Sequence, residues 1–572
     1  MVLMTEELRI GVFICHCGIN IGGVVDVPAV VEYASTLENV VYAERNLYTC
    51  SSEGLEAIKS AIHEHELNRV VVASCTPRTH EPLFRATCEE AGLNPYLFEF
   101  VNIRDQCSWV HMHAPELATE KAKDLVRMGV AKAARLEPLE ELTSDVIPSA
   151  VVIGAGISGM TAALSIAKNG FYVHLIEKGS EMGGLLRRLY MLYPTEELAK
   201  EFLEQRIKAV EEHERVKLHL SSSIKDVEGY VGKFKVILDE NGVEKSINVG
   251  DIIVATGAKE LEPEGLYGYD GEKVITQLQL EEKLRRDDLN LEGIETVVMI
   301  QCAGARGEVV EYCSKICCMN AIKNAKLLKE ANPDINVFIA HNELQAYGEE
   351  YELYYRDAKK AGVRFLRFPL EKRPKVRKSD GKLVVDVFHE RLQMDIPLEA
   401  GLVVLSTPLV QNPDAEKLSK MLKVPLGQDR FFFEAHVKLR PVDFATDGIF
   451  LCGTAQGPKD IEESISQGYA AASRATIPLA KGYVSSEAII SSVDEAICVG
   501  CGICESVCPY GAVEVVDTEE GRRAKVTGVK CKGCGTCGSS CIKRAIKMQH
   551  YTDDQLIAQE RTAFVTEREV VS

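Results

Sequence analysis

The chain has 572 residues, of which 46% are hydrophobic and 26% charged, as in an ordinary globular protein with about three or four domains. Its net charge of −19 argues against nucleic acid or an anionic membrane surface as a partner. The nineteen cysteines are clustered rather than scattered as in a disulfide framework, and the N-terminus lacks the features of a signal peptide. We therefore expect a cytoplasmic protein without a membrane span.

Residues 1–145 are predicted to form an α/β domain. A strand at 10–15 leads into a cysteine-rich turn, a second buried strand covers 70–73, and an amphipathic helix covers 116–135. Cys88 lies in a helical pattern and is expected to pack in the core. Five other cysteines, at predicted loop or strand ends, are candidate ligands of an iron–sulfur cluster, and the sequence does not decide which four would bind it: Cys15, Cys17, Cys50, Cys75 and Cys107.

A dinucleotide-binding motif begins the central domain, predicted at 146–485. The strand at 151–153 leads into a GAGISG loop and then a helix. Gly154 allows the tight turn, Gly156 lets the backbone approach a pyrophosphate, and Gly159 lets the helix pack on the strand. Glu177 ends the next strand, where an acidic side chain binds ribose hydroxyls. The alternatives are NAD at this loop or a glycine turn without a ligand.

Three further elements are typical of flavoproteins with two dinucleotide-binding domains, and they favour FAD over NAD. The first is a glycine pair after the second strand, the second is an ATG motif after a later strand, and the third follows the segment DGIFLC. Their residues are Gly183 and Gly184, then Ala255, Thr256 and Gly257, then Gly453 and Thr454.

A second Rossmann-like unit is predicted within this domain, at about 271–395. Its strand at 296–300 should lead into a glycine-rich loop if the unit bound a nicotinamide cofactor, but a cysteine, Cys302, stands at the turn. Cys313, Cys317 and Cys318 follow on a predicted helix, with 313 and 317 one turn apart on one face. We predict a [4Fe–4S] cluster here, the alternative being four small core residues. NAD(P)H is not expected to bind, so electrons would pass through protein partners.

The C-terminal region, 486–550, contains two C-x2-C-x2-C-x3-C runs, the spacing of bacterial-type ferredoxins with two cubane clusters. In that arrangement the fourth cysteine of each run binds the other run's cluster. Zinc knuckles are the alternative. The predicted ligand sets are Cys498, Cys501, Cys504 and Cys541 for one [4Fe–4S] cluster, and Cys531, Cys534, Cys537 and Cys508 for the other. Residues 551–572 are predicted to be a short docking helix or a frayed tail.

Several longer strings, which together span nearly the whole chain, resemble the A subunit of heterodisulfide reductase, an iron–sulfur flavoprotein of methanogens with relatives in many anaerobes. They include VFICHCGINIGG, SCTPRTHEPLFRA, IQCAGARGEVVEYCSKICCM and LRPVDFATDGIFLCGTAQGPKDI. The resemblance implies an N-terminal cluster domain, a thioredoxin-reductase-like FAD domain and ferredoxin modules.

The resemblance also implies a function, flavin-based electron bifurcation. FAD, rather than a catalytic side chain, would be the redox centre. An electron pair would come from a hydrogenase or formate dehydrogenase through a small iron–sulfur subunit. One electron would go to ferredoxin and the other to heterodisulfide reductase B/C-like subunits, with the chain as a homodimer within a larger complex.

One departure weakens the implication of bifurcation. Many members carry a cysteine-bearing ferredoxin insert after the glycine pair, whereas residues 185–207 of this chain contain no cysteine and read as plain helix. A non-bifurcating electron-relay flavoprotein of a quinone-interacting complex is therefore an alternative. A relay scaffold whose flavin acts on no substrate and an NAD(P)H-dependent oxidoreductase are two others.

Overall fold

The computed structural model describes residues 7–379 and 382–564 of the chain. The chain divides into two compact units. The first combines the N-terminal residues up to Thr143 with the C-terminal residues from Ser485, and the second comprises Ser144–Val484. The predicted N-terminal and ferredoxin domains thus belong to one unit, within which the Tyr96 hydroxyl accepts a hydrogen bond from the backbone N–H of Ala488 (3.1 Å).

A four-stranded parallel sheet organises the N-terminal part of the first unit. Its strand order is β2-β1-β3-β4, and apolar runs such as Val70-Val71-Val72 are buried because helices cover both faces of a parallel sheet. The elements are β1 (Ile10–Cys15), α1 (Val27–Ala34), β2 (Val40–Asn46), α2 (Ser52–Glu64), β3 (Arg69–Ser74), α3 (Pro77–Glu90), β4 (Phe98–Asn102), α4 (Pro115–Ala133) and β5 (Leu142–Asp145).

The second unit begins with a strand–helix succession that leads into an antiparallel sheet. Its elements are β6 (Ser149–Ile153), α5 (Ile157–Lys168), β7 (Tyr172–Ile176), α6 (Ala199–Glu211), β8 (Val216–His219), β9 (Ser222–Tyr230), β10 (Lys233–Glu240), β11 (Val243–Val249), β12 (Asp251–Val254) and β13 (Ala258–Glu260). The prediction of plain helix over 185–207 is wrong for its first half, because Pro194 interrupts the segment and α6 begins only at Ala199.

A similar succession follows, and the chain then returns to the first sheet. The elements are β14 (Val274–Thr276), α7 (Gln277–Arg286), β15 (Thr296–Ile300), α8 (Cys317–Ala331), β16 (Asn336–His341), α9 (Glu349–Lys360), β17 (Arg364–Arg367), β18 (Lys375–Ser379), β19 (Lys382–His389), β20 (Met394–Ala400), β21 (Leu402–Leu405), β22 (Leu409–Gln411), α10 (Ala415–Leu422), β23 (Ile449–Leu451), α11 (Ile461–Lys481) and β24 (Tyr483–Ser486).

The two halves of this unit share one arrangement of strands except at one edge, where β23 is the last strand of its sheet in the chain and β14 is the first of its own. The first sheet has the order β23-β12-β6-β7-β8 and the second the order β14-β21-β15-β16-β17, with parallel pairing throughout. In each half a three-stranded antiparallel sheet lies in the chain just before the strand that pairs with the central strand. In the first half β9, β10 and β11 precede β12, which pairs with β6, and in the second half β18, β19 and β20 precede β21, which pairs with β15. The predicted limit of the inserted unit at 395 falls inside β20, and since β21 pairs with β15, the inserted unit extends to about Leu405.

Short strands and helices form the ferredoxin module, defined here as residues 486–550. Its elements and the helix that follows are β25 (Ser491–Val493), α12 (Ile503–Val507), β26 (Val513–Thr518), β27 (Gly521–Val526), α13 (Thr536–Ser539), β28 (Ile546–Met548) and α14 (Asp553–Ala563). Helix α14 packs on α4, where Arg127 Nε donates to the Thr562 carbonyl (2.9 Å). The rest of the predicted tail, 565–572, lies outside the described residues. Within the described ranges, none of the helices combines the length and the apolar character that crossing a bilayer requires.

Candidate cofactor sites

The loop after β6 has the geometry of a phosphate-binding turn. Gly154 adopts φ +107°, and a Cβ on Gly159 would clash with the Gly154 carbonyl, so these two positions require glycine. A Cβ on Gly156 would meet nothing within 4 Å, so its backbone faces open space. Helix α5 starts after Gly156 without a side-chain cap, which leaves its first N–H groups available to an anion.

The other flavin motifs converge on this loop. Gly183 N donates to the Ala155 carbonyl (2.8 Å), and Cys452 N donates to the Val254 carbonyl (3.0 Å), which places the 453–454 turn beside the end of β12. A Cβ on Gly257 would lie 3.7 Å from Thr454 Oγ1. The Thr256 Oγ1 atom is buried without a hydrogen-bond partner, as expected of a group that a ligand completes. These residues fit FAD.

Glu177 contacts the glycine loop directly. One carboxylate oxygen accepts from Ala155 N (2.9 Å), and the other accepts from Gly179 N (2.7 Å). The carboxylate therefore braces the loop, and its role toward a ribose stays a prediction.

The structure brings together the four cysteines that follow β15. Cys302 lies at the end of the strand with φ +60°, and burial together with the three other thiols raises the pKa of Cys317. The pKa of Cys302 is raised to about 11, mainly by burial. The prediction that Cys313 lies on a helix with Cys317 is wrong, because α8 begins only at Cys317. Cys313 approaches the group from a loop that contains left-handed Arg306 and Lys315.

This cysteine group packs against the flavin motifs. Cys317 Sγ lies 3.5 Å from the carbonyl of Thr407, which is two residues before strand β22 begins. Strand β22 pairs with β13, which follows the ATG motif, and Asn412 Nδ2 donates to the Thr256 carbonyl (3.0 Å). On the other side, Lys315 Nζ lies 3.3 Å from a carboxylate oxygen of Glu463, in the first turn of α11. The thiols and the flavin elements are therefore neighbours within one unit.

Sequence reasoning missed one ionisable residue in this region, Lys459. It is half-buried in the loop between the 453–454 turn and α11, and desolvation together with nearby Lys315 lowers its pKa to about 8. The available signal was its position in the string GPKD, just before the Asp460 that caps α11.

In the N-terminal part of the first unit, four of the five candidate cysteines converge at the carboxyl edge of the sheet. Burial and the nearby thiols of Cys15, Cys75 and Cys50 raise the pKa of Cys17. Burial, Cys15 and Cys75 likewise raise the pKa of Cys50. Thr49 N donates to Cys15 Sγ (3.5 Å). These four thiols are the group that the structure places together.

Cys107 lies apart from them. Its Sγ is buried and lies 3.0 Å from the Ala118 carbonyl, and burial raises its pKa to about 11. The structure therefore does not bring Cys107 into the group. Cys88 is buried as well, and burial alone raises its pKa to about 12, in line with a packing role.

The eight ferredoxin-module cysteines surround two cavities in the predicted combinations. The first cavity is lined by Cys531, Cys534, Cys537 and Cys508, and the second by Cys498, Cys501, Cys504 and Cys541. The fourth cysteine of each run thus lies at the other run's cavity. Backbone N–H groups point at three of the sulfurs: Ala512 N to Cys508 (3.2 Å), Ala524 N to Cys498 (3.4 Å) and Ala545 N to Cys541 (3.3 Å). Such N–H···S bonds stabilise thiolate ligands and tune cluster potentials. Among the described side chains, no three of His, Cys, Asp or Glu are grouped so as to hold a single metal ion.

Comparisons with known proteins agree with this architecture. A family model described as "Pyridine nucleotide-disulphide oxidoreductase" matches residues 148–468, and a "4Fe-4S binding domain" model matches residues 490–513. The iron–sulfur A subunit 2 of the CoB–CoM heterodisulfide reductase of Methanopyrus kandleri is 40% identical over 608 residues, covering 90% of this chain and 92% of that protein. The A subunit of the H2:CoB–CoM heterodisulfide,ferredoxin reductase of Methanothermobacter marburgensis is 39% identical over 646 residues, covering 97% of each. A solved thioredoxin reductase of Lactococcus lactis aligns with 58% of this chain and 99% of its own, at 19% identity and a TM-score of 0.41.

Fold, sites and family models together define an iron–sulfur flavoprotein oxidoreductase of the pyridine nucleotide-disulphide oxidoreductase class. At 38–40% identity over most of its length, the chain belongs to the family of heterodisulfide reductase A subunits. The predicted family, enzyme class and α/β fold class are confirmed. The aligned 646 residues exceed the 572 of this chain, so the Methanothermobacter relative contains residues without a counterpart here. The family models imply FAD and 4Fe–4S binding, while the number and positions of the clusters stay predictions.

Proposed function

We propose that this chain binds one FAD and four [4Fe–4S] clusters and transfers electrons within a heterodisulfide reductase-like complex. The FAD would lie on the glycine loop of 154–159 and between the 255–257 and 453–454 motifs. The clusters would occupy the four cysteine groups described above. A bound flavin supplies the exchange between electron pairs and single electrons, and cubane clusters carry single electrons. The chain's own residues hold these groups and set the burial and hydrogen bonding around them.

The single observation that carries the proposal is the packing of the cysteine group of the second half against the flavin elements. Thr407, whose carbonyl lies beside Cys317 Sγ, precedes the ribbon of β13 and β22 that begins at the flavin's ATG motif. Lys315, in the cysteine loop, reaches Glu463 in α11, the helix that follows the 453–454 turn. An electron leaving the flavin would therefore find a cluster as its neighbour without crossing between units.

The reaction we propose is flavin-based electron bifurcation. A hydrogenase or formate dehydrogenase would deliver electron pairs through a small iron–sulfur subunit. One electron of each pair would pass to ferredoxin and the other to B/C-like subunits that reduce a disulfide, with the chain as a homodimer in the complex. The names of the relatives, which include ferredoxin and the CoB–CoM heterodisulfide, support this direction.

A second candidate is a non-bifurcating electron relay, as in a quinone-interacting complex. The observation in its favour is that residues 185–207 contain no cysteine. The electron pathway that a ferredoxin insert between residues 185 and 207 would provide is then missing from this chain or supplied by another subunit.

Coupled assays on the complex, purified without oxygen with its natural partners, separate the two candidates. Under H2 or formate, ferredoxin reduction is followed with and without CoB–CoM heterodisulfide. Bifurcation predicts that ferredoxin is reduced only while the disulfide is reduced, with equal numbers of electrons reaching each. Ferredoxin reduction at the same rate without the disulfide contradicts bifurcation. Direct NADH oxidation by the chain would contradict our exclusion of a nicotinamide at the Cys302 loop.

A further inference from the structure

The charges of the ferredoxin module are separated along the chain. Between residues 487 and 520 all eight charged side chains are acidic, whereas between 522 and 547 all eight are basic. Apart from its cysteines, the module is therefore neutral, in a chain whose net charge is −19. A segment with eight basic and no acidic side chains presents a local positive field despite the net negative charge of the chain.

The basic segment reaches the two cysteine cavities. Lys532 lines the cavity of Cys531, Cys534, Cys537 and Cys508, and Lys543 lines the cavity of the other four cysteines. Among the described residues lining these cavities, no other side chain carries a fixed charge, and no carboxylate does. Both lysines are exposed, and so is Arg544, whose backbone N–H donates to the Cys541 carbonyl (3.0 Å). We call Lys532, Lys543 and Arg544 the basic rim.

The cavities open toward solvent beside the basic rim. Cys534 in the first cavity and Cys501 in the second are the exposed members of their groups. Two apolar side chains stand next to the second cavity, Ile542 with 80% of its surface exposed and Val499 with 55%. Exposed apolar side chains beside fixed positive charge are the composition of a protein-docking surface, where charge steers the approach and apolar contact completes it.

We propose that the basic rim is the docking surface for an acidic one-electron carrier protein that exchanges electrons with the clusters of this module. The inference rests on the proposed function, because the cavities must hold clusters. In the step, one electron passes between a cluster and the carrier, one partner losing it and the other gaining it, and no bond forms or breaks; the test below follows the transfer from reduced carrier to cluster, the reverse of the direction in the proposed function. Because Lys532 and Lys543 stand at the cysteine cavities, their charge draws an acidic carrier to the place where an electron can be exchanged with a cluster.

The test follows electron delivery from an acidic 2[4Fe–4S] ferredoxin, reduced beforehand, to the anaerobic full chain in a stopped-flow spectrometer. The variant Lys532→Glu/Lys543→Glu reverses both rim lysines. Its control is Lys525→Glu, one lysine reversal on β27 of the same basic segment but outside both cavity linings, and it is matched to the single variants Lys532→Glu and Lys543→Glu measured alongside the double variant. At an ionic strength of ~20 mM we expect the double variant to react at least ~10-fold more slowly than the wild type. The control should stay within ~2-fold of it.

Salt gives a second measurement that needs no variant. Between ~20 mM and ~500 mM ionic strength the screening length falls from about 20 Å to about 4 Å, so the wild-type rate should fall steeply and the difference between variants should nearly vanish. A wild-type rate independent of salt would overturn the proposal, as would equal losses in the double variant and in Lys525→Glu. Salt-sensitive self-association of the chain with an unaffected carrier rate would also overturn it, and would assign the rim to a second copy.

Cluster content distinguishes this proposal from the one on which it rests. Iron content and reduction by photoreduced 5-deazariboflavin, a neutral small molecule, are measured on the same samples. A wild-type module without iron contradicts the proposed function. Full iron in the wild type, combined with a carrier rate indifferent to charge, contradicts only the docking surface.

Discussion

The two halves of the second unit have the same frame and carry different chemistry. In each, a helix follows the central strand of a five-stranded parallel sheet, β6 in one half and β15 in the other. The loop between strand and helix is short and glycine-rich after β6. After β15 it is longer, running from Gln301 to Ile316, and it contains Cys302 and Cys313.

The difference shows that the position of a site follows from topology, whereas its chemistry follows from the loop. Both loops lie at the carboxyl end of the central strand, where open α/β sheets bind ligands. The first presents the uncapped N–H groups of α5, which suit a pyrophosphate. The second presents thiols on the loop and at the start of α8, which suit iron. The predictions below test this division, beginning with the largest expected effect.

Replacing thiols in the second half should remove iron and leave flavin. In Cys302→Ser/Cys317→Ser two of four ligands are lost, and we expect the chain to lose one cluster, about four iron atoms. FAD content should stay near that of the wild type, since the glycine loop is untouched. Iron and flavin analysis of anaerobically purified protein checks this. Cys88→Ala, at a buried thiol outside the four groups, should leave the iron content unchanged; an equal iron loss in both variants would contradict the assignment.

The converse change in the first half should remove flavin and leave iron. A Cβ in Gly159→Ala would clash with the Gly154 carbonyl, and we expect FAD binding to weaken by more than ~10-fold, or above about 1.4 kcal/mol. Gly156→Ala meets no protein atom within 4 Å and should fold normally while still weakening FAD binding, because its methyl group would enter the pyrophosphate position. Flavin fluorescence after equilibration with FAD measures both. Full FAD affinity in Gly156→Ala would refute the placement.

The helices after the two loops carry different side chains at their seventh position, which is buried in both. The seventh residue of α5 is Ala163, whereas the seventh of α8 is Lys323, fully buried and paired with Glu281. Lys323 Nζ also donates to the Met191 carbonyl (2.7 Å). Lys323→Met leaves a buried carboxylate unpaired and should lower the free energy of unfolding by about 3–5 kcal/mol, measured by urea denaturation. The double change Lys323→Met/Glu281→Leu should recover most of that loss, and no recovery would mean that the ion pair is not the cause.

The smallest expected effect concerns a histidine in the strand that follows the central strand of each sheet, β7 in one half and β16 in the other. Burial and a neighbouring charge lower the pKa of His174 and of His341 to about 4, the neighbours being His219 and Arg367. For each histidine the folded pKa lies below the unfolded value of about 6.5. Its contribution to the free energy of unfolding is therefore fully present above pH 6.5 and is lost as pH falls toward 4.

His174→Leu should therefore flatten the decline of stability between pH 6.5 and 5, by less than about 1 kcal/mol because the side chain is only partly buried. Thermal unfolding at several pH values measures the slope. His113→Gln, at an exposed position, should leave it unchanged, and an unchanged slope in His174→Leu would refute the effect.

The parts of this molecule that the sequence predicts well are those encoded by local spacing. The two C-x2-C-x2-C-x3-C runs predict which cysteines share a cavity, because the spacing itself fixes the loop. The N-terminal group could not be chosen from sequence, since its thiols follow separate strands and only the packing of Cys107 against Ala118 sets that residue apart. Cys313 was misplaced on a helix because left-handed residues in its loop, such as Lys315, leave no periodic signal. Lys459 was missed because its burial depends on distant elements.

The most direct test of the account is the iron, sulfide and flavin content of the full chain purified without oxygen. The four cysteine groups and the single glycine loop predict one FAD and four cubane clusters, about sixteen iron and sixteen sulfide per chain. A chain with no flavin, or with about twelve iron atoms or fewer, would contradict it.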